Sequence, residues 1–148
     1  MNQKQMEELL QEAYYGRLGL AHKQQPYVVP LCFYYENMRI YWHCGLKGQK
    51  MEYLNGNSRV CFQVDDVKGI ITGPSACKFN VNYRSVIAYG NAHLVTDKEE
   101  KQSYLGKLTA KYMENAAGPI VFSEEQLAGV NLFKLEIDSL TGKVSPKG

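Results

Sequence analysis

Two stretches of the chain carry basic residues with no acidic residue among them, although the whole sequence has a formal charge of only +2. Residues 37–51 and residues 67–96 each have a local charge of +3. The basic residues are Arg39, Lys47 and Lys50 in the first stretch and Lys68, Lys78 and Arg84 in the second. Because concentrated positive charge attracts anionic ligands, these stretches are the first candidates for a binding site.

The first stretch joins the end of a predicted strand, at His43 and Cys44, to the start of a predicted helix. Backbone amides at a helix N-terminus bind phosphate well when lysine side chains lie nearby. Lys47 and Lys50 are three residues apart, so they can share one side of the first turn. The alternative is a solvated basic helix face, which the spacing alone favours because short basic clusters are common. The phosphate-loop motif G-x-x-x-x-G-K-[ST] is absent from the sequence.

His43 has two interpretations. A histidine beside Trp42 at a strand end usually packs with both ring nitrogens satisfied, whereas one beside a bound phosphate donates a hydrogen bond or transfers a proton. His22 is predicted to be exposed in a loop, and His93 to be structural within a strand. The motif G-x-S-x-G is absent, so nothing indicates a Ser-His-Asp site.

The four cysteines are Cys32, Cys44, Cys61 and Cys77, and no two of them form a C-x-x-C motif. We expect reduced thiols, with Cys32 and Cys61 packing as small apolar residues inside strands. Among possible metal ligands only His43 and Cys44 are adjacent, and neighbours on a strand face opposite sides. The sequence therefore predicts no metal site.

Hydrophobic periodicity predicts helices at four places. Apolar residues at i, i+3, i+4 and i+7 spacing predict an amphipathic helix over 3–15, ended by Gly16. A shorter helix is predicted over Lys47–Leu54. Capping boxes that start at Thr96 and at Ser123 predict the beginnings of two further helices.

The remaining chain alternates as strands do. The predicted strands are Arg17–Ala21, Tyr27–Tyr35, Arg39–His43, Arg59–Asp65, Ser85–Val95 and Val130–Ile137. The second and third are predicted to form a hairpin, and residues 66–82 a long loop. Because hairpins dominate and regular βαβ units are absent, the pattern favours a small antiparallel barrel with peripheral helices over a doubly wound sheet.

Length and composition limit the classes of protein that fit. A chain of 148 residues has the size of one domain. A charge of +2 is too small for a general nucleic-acid binder. The longest apolar run, Tyr27–Tyr35, is too short for a membrane helix, and the first residues lack a signal-peptide pattern. We therefore expect a single cytoplasmic domain without a nucleic-acid or membrane partner.

Six short motifs occur in a specific order along most of the chain, from Gly16 to Gly142. The motifs are Pro26–Leu31, Ile40–Cys44, Gly48–Leu54, Asn57–Phe62, Cys77–Phe79 and Tyr83–Ala92. Together they resemble the pyridoxamine 5'-phosphate oxidase-like flavoproteins, specifically their nitroimidazole-resistance branch. The resemblance implies a six-stranded antiparallel split β-barrel of Greek-key type over 16–142, with an N-terminal helix over 1–15 and a tail over 143–148. It also implies a homodimer that binds FMN at the interface.

The resemblance also assigns site residues by position. Those implied to contact the cofactor are Val28, Val29, Pro30, Leu31, His43, Cys44, Gln49, Lys50, Arg84 and Ser85, to which the charge pattern adds Lys47. The first four would run along the isoalloxazine ring and offer backbone groups to its polar edge. The middle four would approach the ribityl phosphate, with His43 also a candidate proton donor. Arg84 and Ser85 would form a second segment that contacts phosphate and ring, so the two acid-free stretches coincide with the two segments.

Two features depart from the family pattern. Gln49 stands where many relatives have a basic residue, and Cys44 where they have Ser or Thr, which makes one phosphate contact neutral. No arginine follows Arg84, whereas the true pyridoxamine phosphate oxidases end in an arginine-rich substrate segment, so we do not expect that activity. The implied function is an FMN-dependent oxidoreductase that reduces small acceptors such as nitroaromatics. The alternatives are a flavin- or haem-binding protein without turnover and, more weakly, a single-strand nucleic-acid binder.

Overall fold

The structure is a computed structural model that describes residues 1–75, 78–113 and 118–145. Its elements are α1 (Gln3–Glu12), β1 (Gly16–His22), β2 (Gln25–Leu31), β3 (Tyr34–Glu36), β4 (Arg39–Cys44), α2 (Gln49–Gly56), β5 (Arg59–Ile71), β6 (Asn80–Leu94), α3 (Lys98–Tyr112), α4 (Glu124–Ala128) and β7 (Asn131–Val144). The strands form one antiparallel sheet in the order β2-β1-β5-β6-β7-β4-β3. The predicted mainly β class is confirmed, with seven strands in the described ranges instead of six.

The sheet curls around one apolar core. All seven strands contribute buried residues to this core, including Leu31 from one edge strand and Tyr35 from the other. Leu9 and Leu10 of α1 pack into the same cluster, and Phe62 at its centre is fully buried. A flat sheet could not bring both edges to one core, so the strands form a split barrel with α1 packed against its interior.

A second apolar cluster covers the outer side of β4 and β7. Tyr41 and Leu132 pack there against Leu105 of α3 and Leu127 of α4. Along β4 the neighbouring Trp42 faces the barrel core, because side chains alternate across a strand. By the same alternation, His43 lies on the outer side of the sheet and Cys44 on the core side.

The segment predicted as one strand over Tyr27–Tyr35 is two strands. Its first part belongs to β2 and pairs with β1, and only its last residues form β3 and pair with β4. Each pair closes through a two-residue turn with positive φ, at Lys23 and Gln24 and at Asn37 and Met38. The segment has to divide because β2 and β3 lie at opposite edges of the sheet. The prediction missed the division because apolar and aromatic residues continue through Cys32 and Phe33 without a turn signal.

The predicted long loop over 66–82 was wrong. β5 continues to Ile71 and β6 begins at Asn80, and the two pair along almost their whole length. The register shifts between Val67 and Gly69, where Gly69 has a φ of 148°. Glycine here makes a β-bulge that keeps the pairing intact, so a residue that signals a break in sequence marks only an irregularity in the sheet.

Helix boundaries differ by a few residues from those predicted. The first helix, expected over 1–15, ends at Glu12 because the chain then extends toward β1. The capping box at Ser123 is confirmed, but α3 is capped by the side chain of Asp97 and not by Thr96. None of the helices in the described parts of the chain is long and apolar enough to cross a membrane.

The tail expected over 143–148 starts later. β7 runs to Val144. The next residue, Ser145, is buried, and its N–H donates to the carbonyl of Tyr83 while its hydroxyl accepts from the N–H of Tyr83. These contacts extend the sheet by one residue beyond the strand. Residues 146–148 lie outside the described residues.

Candidate functional site

The end of β4 and the start of α2 form the first candidate region. We call it the basic end and define it by His43, Cys44, Lys47, Gln49 and Lys50. Residues of β4 and α2 meet here because the short Gly45–Gly48 connection turns the chain from the strand directly into the helix. The structure therefore brings together all five residues that the resemblance and the charge pattern assigned to the phosphate.

The N-terminus of α2 is open. Gly48 occupies the N-cap with a φ of 116°, and no side chain caps the helix. A Cβ built on Gly48 would meet nothing within 4 Å. The first amides of a helix have no partner within the helix, so this end presents donors to an anion. The absence of a side chain at Gly48 lets a ligand approach the backbone.

The lysines of the basic end keep their positive charge uncompensated. No carboxylate of the described residues lies within ion-pair distance of Lys47 or Lys50. Lys47 is exposed and Lys50 is half-buried beside the strand end. Burial lowers the pKa of His43, and the charge of Lys50 lowers it further. The lowered pKa favours the neutral imidazole at pH 7, and the exposed ring of His43 can then donate or accept a hydrogen bond.

Cys44 faces the opposite side of the strand from His43. The Cys44 thiol is buried, with its Sγ 3.7 Å from the Sδ of Met51 in α2. Burial raises the pKa of this thiol, and Lys50 opposes that rise. Asn131 of β7 lies 3.5 Å from the same Met51 Sδ through its Nδ2. The thiol therefore helps hold α2 against the barrel, which leaves only the backbone of Cys44 for a ligand contact.

The Val28–Leu31 segment runs along the edge strand β2. Val28 and Pro30 are exposed and Leu31 is buried, as expected for a strand with one face on the core. At its start the Tyr27 ring lies 5.3 Å from the ring of Tyr53 in α2, measured between centroids. The segment thus begins beside α2 and ends at the Gly16 pairing, with an accessible outer face between.

Arg84 lies in a different electrostatic setting. Its Nε is 2.9 Å from Oδ2 of Asp66 and its Nη2 is 2.7 Å from Oε2 of Glu12. Lys68 approaches the same Asp66 oxygen at 2.6 Å. Hydrogen bonds from Lys68 and, to a smaller extent, from Arg84 lower the pKa of Asp66. Hydrogen bonds to Asp66 and Glu12 raise the pKa of Arg84. We call these four residues the paired end, and their formal charges sum to zero.

An array of polar residues beside the paired end was missed by the sequence analysis. Gln63 Nε2 lies 3.2 Å from Ser85 Oγ and donates to Oδ1 of Asp65 at 2.8 Å. Arg17 Nη1 donates to the same Asp65 oxygen at 2.5 Å and to Gln63 Oε1 at 3.1 Å. The signal in the sequence was the polar side chains of Arg59, Gln63 and Asp65 at alternate positions of β5, on the side away from the core.

Within one chain the two ends are far apart. Leu94 is nine residues after Ser85 on β6, which corresponds to roughly 30 Å along an extended strand. Leu94 pairs with Phe133, whose neighbour Leu132 pairs with His43. The structure therefore does not bring Arg84 and Ser85 to the basic end of their own chain. Lys78 is exposed, and Cys77 lies outside the described residues.

The remaining cysteines and acidic groups are scattered. Cys32 is exposed and Cys61 is half-buried. In the described ranges no three residues among His, Cys, Asp and Glu come together in a way that could hold a metal ion.

A curled antiparallel sheet with helices at its periphery and a cationic strand-to-helix turn defines the class of antiparallel split-barrel proteins. The chain belongs to the pyridoxamine 5'-phosphate oxidase family, whose family model matches residues 2–144. The resemblance in the sequence motifs is thereby confirmed. Among curated proteins no sequence matches the chain at a significant level.

Solved structures with this fold include proteins of several kinds. A candidate 5-nitroimidazole antibiotic resistance protein from Bacteroides thetaiotaomicron is 27% identical, with a TM-score of 0.80 over 95% of this chain and 82% of its own. A flavocytochrome from Azotobacter vinelandii is 24% identical, with a TM-score of 0.84 over 99% and 68%. An FAD- and haem-binding protein from Mycobacterium smegmatis is 19% identical, with a TM-score of 0.88 over 99% and 72%. The last two likenesses show the shared fold.

Proposed function

We propose that the chain is a flavoprotein that binds FMN, with the phosphate at the basic end. The observation that carries this proposal is the uncapped start of α2 with Lys47 and Lys50 uncompensated beside it. A phosphate ester matches this site because the helix amides donate hydrogen bonds and the lysines neutralise the charge. Family membership and the flavin-binding proteins that share the fold support a flavin as the ligand.

The proposed activity is reduction of small acceptors such as nitroaromatics. The bound flavin would supply the electron transfer, and the protein would supply binding and orientation. Val28–Leu31 would offer backbone groups and an exposed edge strand to the ring. His43, neutral at pH 7, would donate a hydrogen bond near the phosphate, and its role as proton donor is secondary. The nitroimidazole-resistance relative supports the acceptor class.

The proposed assembly is a homodimer that completes each cofactor site. Ser85 lies nine residues along β6 from Leu94, the position level with the basic end, so a partner's copy would bring the two together. The outer side of β6 offers a surface for this contact, since Ile87 and Tyr89 alternate with Val86 and Ala88, which are buried in the core. Among the described residues, neither apolar cluster includes Ile87 or Tyr89.

The dimer is tested by Ile87→Glu, which places a charge on the proposed interface without entering the core. We expect a monomer by sedimentation and at least a tenfold loss of FMN affinity. Val121→Glu is the matched control, because Val121 is 78% exposed on another surface. A monomeric Ile87→Glu protein that binds FMN as tightly as the parent would exclude a shared site.

The flavin proposal is tested by the visible spectrum of protein purified without added cofactor. We expect the absorption bands of bound flavin and, after its removal, tighter binding of FMN than of riboflavin by fluorescence titration. Equal or tighter binding of FAD would assign the larger cofactor. A colourless protein that binds none of FMN, riboflavin and FAD would contradict the flavin proposal.

The second candidate is a flavin- or haem-binding protein without turnover. It is favoured by the flavocytochrome and the FAD- and haem-binding protein that share the fold. The distinguishing measurement is steady-state reduction of a nitroaromatic acceptor by NAD(P)H with FMN bound. Bound flavin that no reductant cycles onto an acceptor, or haem binding in its place, would favour this candidate.

A further inference from the structure

We propose that Arg17, Gln63, Asp65 and Ser85 recognise the imide edge of a planar heteroaromatic ring, the carbonyl, N–H, carbonyl sequence that a flavin ring presents. This inference rests on the proposed flavin binding and adds the residues that select the ring. None of Arg17, Gln63 and Asp65 belongs to the motifs that carried the family resemblance.

The array is assembled by strand register. Arg17 of β1 pairs with Gln63 of β5, and Asp65 of β5 pairs with Ser85 of β6. Arg17 also pairs with Pro30 of β2, so the array lies directly beside the segment assigned to the ring. All four residues are partly buried polar groups on the outer side of the sheet, away from the core.

The internal hydrogen bonds fix the side chains and leave part of their capacity unused. Both bonds to the Asp65 carboxylate use Oδ1, from Arg17 at 2.5 Å and from Gln63 at 2.8 Å. Within the described residues no hydrogen bond reaches the second oxygen, Oδ2. To the described residues Arg17 donates hydrogen bonds from Nη1 alone, although a guanidinium carries five N–H donors. An acceptor with donors beside it therefore remains available to a ligand.

This pattern complements an imide. Its N–H would donate to the unused Asp65 oxygen, and its two carbonyls would accept from Arg17 and from the hydroxyl of Ser85. A ligand without the N–H would leave the carboxylate oxygen desolvated and unpaired, which is how polar sites reject close analogues. Asp65 is thus the residue of the array that distinguishes an imide from other planar edges.

A cavity lies beside the array, and Asp65 is the array residue that lines it. The cavity has a volume of about 370 Å³, inside the usual range for small-molecule sites, and Asp65, Tyr14 and Tyr15 contribute to its lining. Both tyrosines are more than half exposed, although the Arg17 guanidinium lies 5.4 Å from the centre of the Tyr15 ring and the Tyr14 ring packs edge-on with Tyr112. The other charged groups of the lining are those of the paired end, whose charges cancel. A neutral ring suits this cavity better than a phosphate does.

The test compares lumiflavin with 3-methyllumiflavin, since neither carries a phosphate and only one carries the imide N–H. We expect the parent protein to prefer lumiflavin at least tenfold by fluorescence titration. In Asp65→Asn the preference should fall below about threefold, because the amide can turn its N–H toward the ligand. Asp138→Asn is the matched control, as Asp138 also pairs with an arginine, Arg59, and is half exposed elsewhere.

The outcomes distinguish a failure of this inference from a failure of the proposed function. If the parent binds FMN but binds both lumiflavins equally, the array does not read the imide, although flavin binding stands. Discrimination that survives Asp65→Asn would assign it to the β2 backbone and overturn the inference. If no flavin binds at all, the proposed function and the inference fail together. The comparison of the two ligands on the parent protein holds even where Asp65→Asn folds poorly.

Discussion

The basic end and the paired end come from stretches with the same local charge, +3, yet they present opposite electrostatics to a ligand. At the basic end Lys47 and Lys50 meet no carboxylate of the described residues, and α2 adds its open N-terminus. At the paired end Arg84 meets two carboxylates and its charge is cancelled. The first region therefore suits a phosphate and the second a neutral ring.

The difference arises because charge acts through space and not along the chain. Glu12 lies in α1, 72 positions before Arg84, and Asp66 lies just outside the acid-free stretch on the neighbouring strand. Antiparallel pairing of β5 with β6 sets Asp66 directly opposite Arg84. A window of sequence cannot include partners that the fold supplies from elsewhere.

The largest effect is expected at the basic end, from Lys50→Glu. Reversing this charge beside the phosphate should weaken FMN binding by about 10- to 100-fold, the size of a lost charge-assisted contact plus repulsion. Riboflavin affinity should change little, because riboflavin lacks the phosphate. The measurement is fluorescence titration with both ligands, with Lys4→Glu on the exposed face of α1 as control. Unchanged FMN affinity would show that the phosphate does not bind at the basic end.

A smaller effect is expected from Arg84→Gln, and it should appear in stability. Losing the bonds to Asp66 and Glu12 should lower the free energy of unfolding by about 1–2 kcal/mol, measured by urea denaturation. Arg59→Gln, which breaks a more exposed pair, should cost less. The ratio of FMN to riboflavin affinity should stay as in the parent. A loss of FMN affinity without a loss of riboflavin affinity would instead place the phosphate at the paired end.

The smallest effect is expected from His43→Gln and depends on pH. The pKa of His43 is lowered from 6.5, so the imidazole gains its proton only as the pH falls below that value. The protonated ring would attract the phosphate, so the parent should bind FMN about two- to threefold more tightly than the variant near pH 5. At pH 8 the two should bind alike. Because the phosphate titrates equally in both, their ratio across pH isolates His43, and a constant ratio would place His43 away from the phosphate.

The regular elements with strong local signals could be predicted from the sequence. The amphipathic stripe of α1, the capping box at Ser123 and the apolar alternation of β7 all correspond to observed elements. The predictions failed where a weak local signal was overridden by pairing. Gly69 did not end β5, and the apolar segment Tyr27–Tyr35 divided between β2 and β3. In both places the partner strand, and not the local residues, determines the conformation.

The sequence by itself determined the class of fold, the family motifs and the cationic character of the β4–α2 turn. Those properties depend on residues close together in the chain: periodicity, caps, and lysines three apart that no nearby carboxylate neutralises. Only the tertiary structure decided that Arg84 is neutralised and that Arg17, Gln63 and Asp65 form one array with Ser85. These features join residues from separate elements, because sheet register sets which side chains meet across strands and the curl of the sheet sets how α1 meets them.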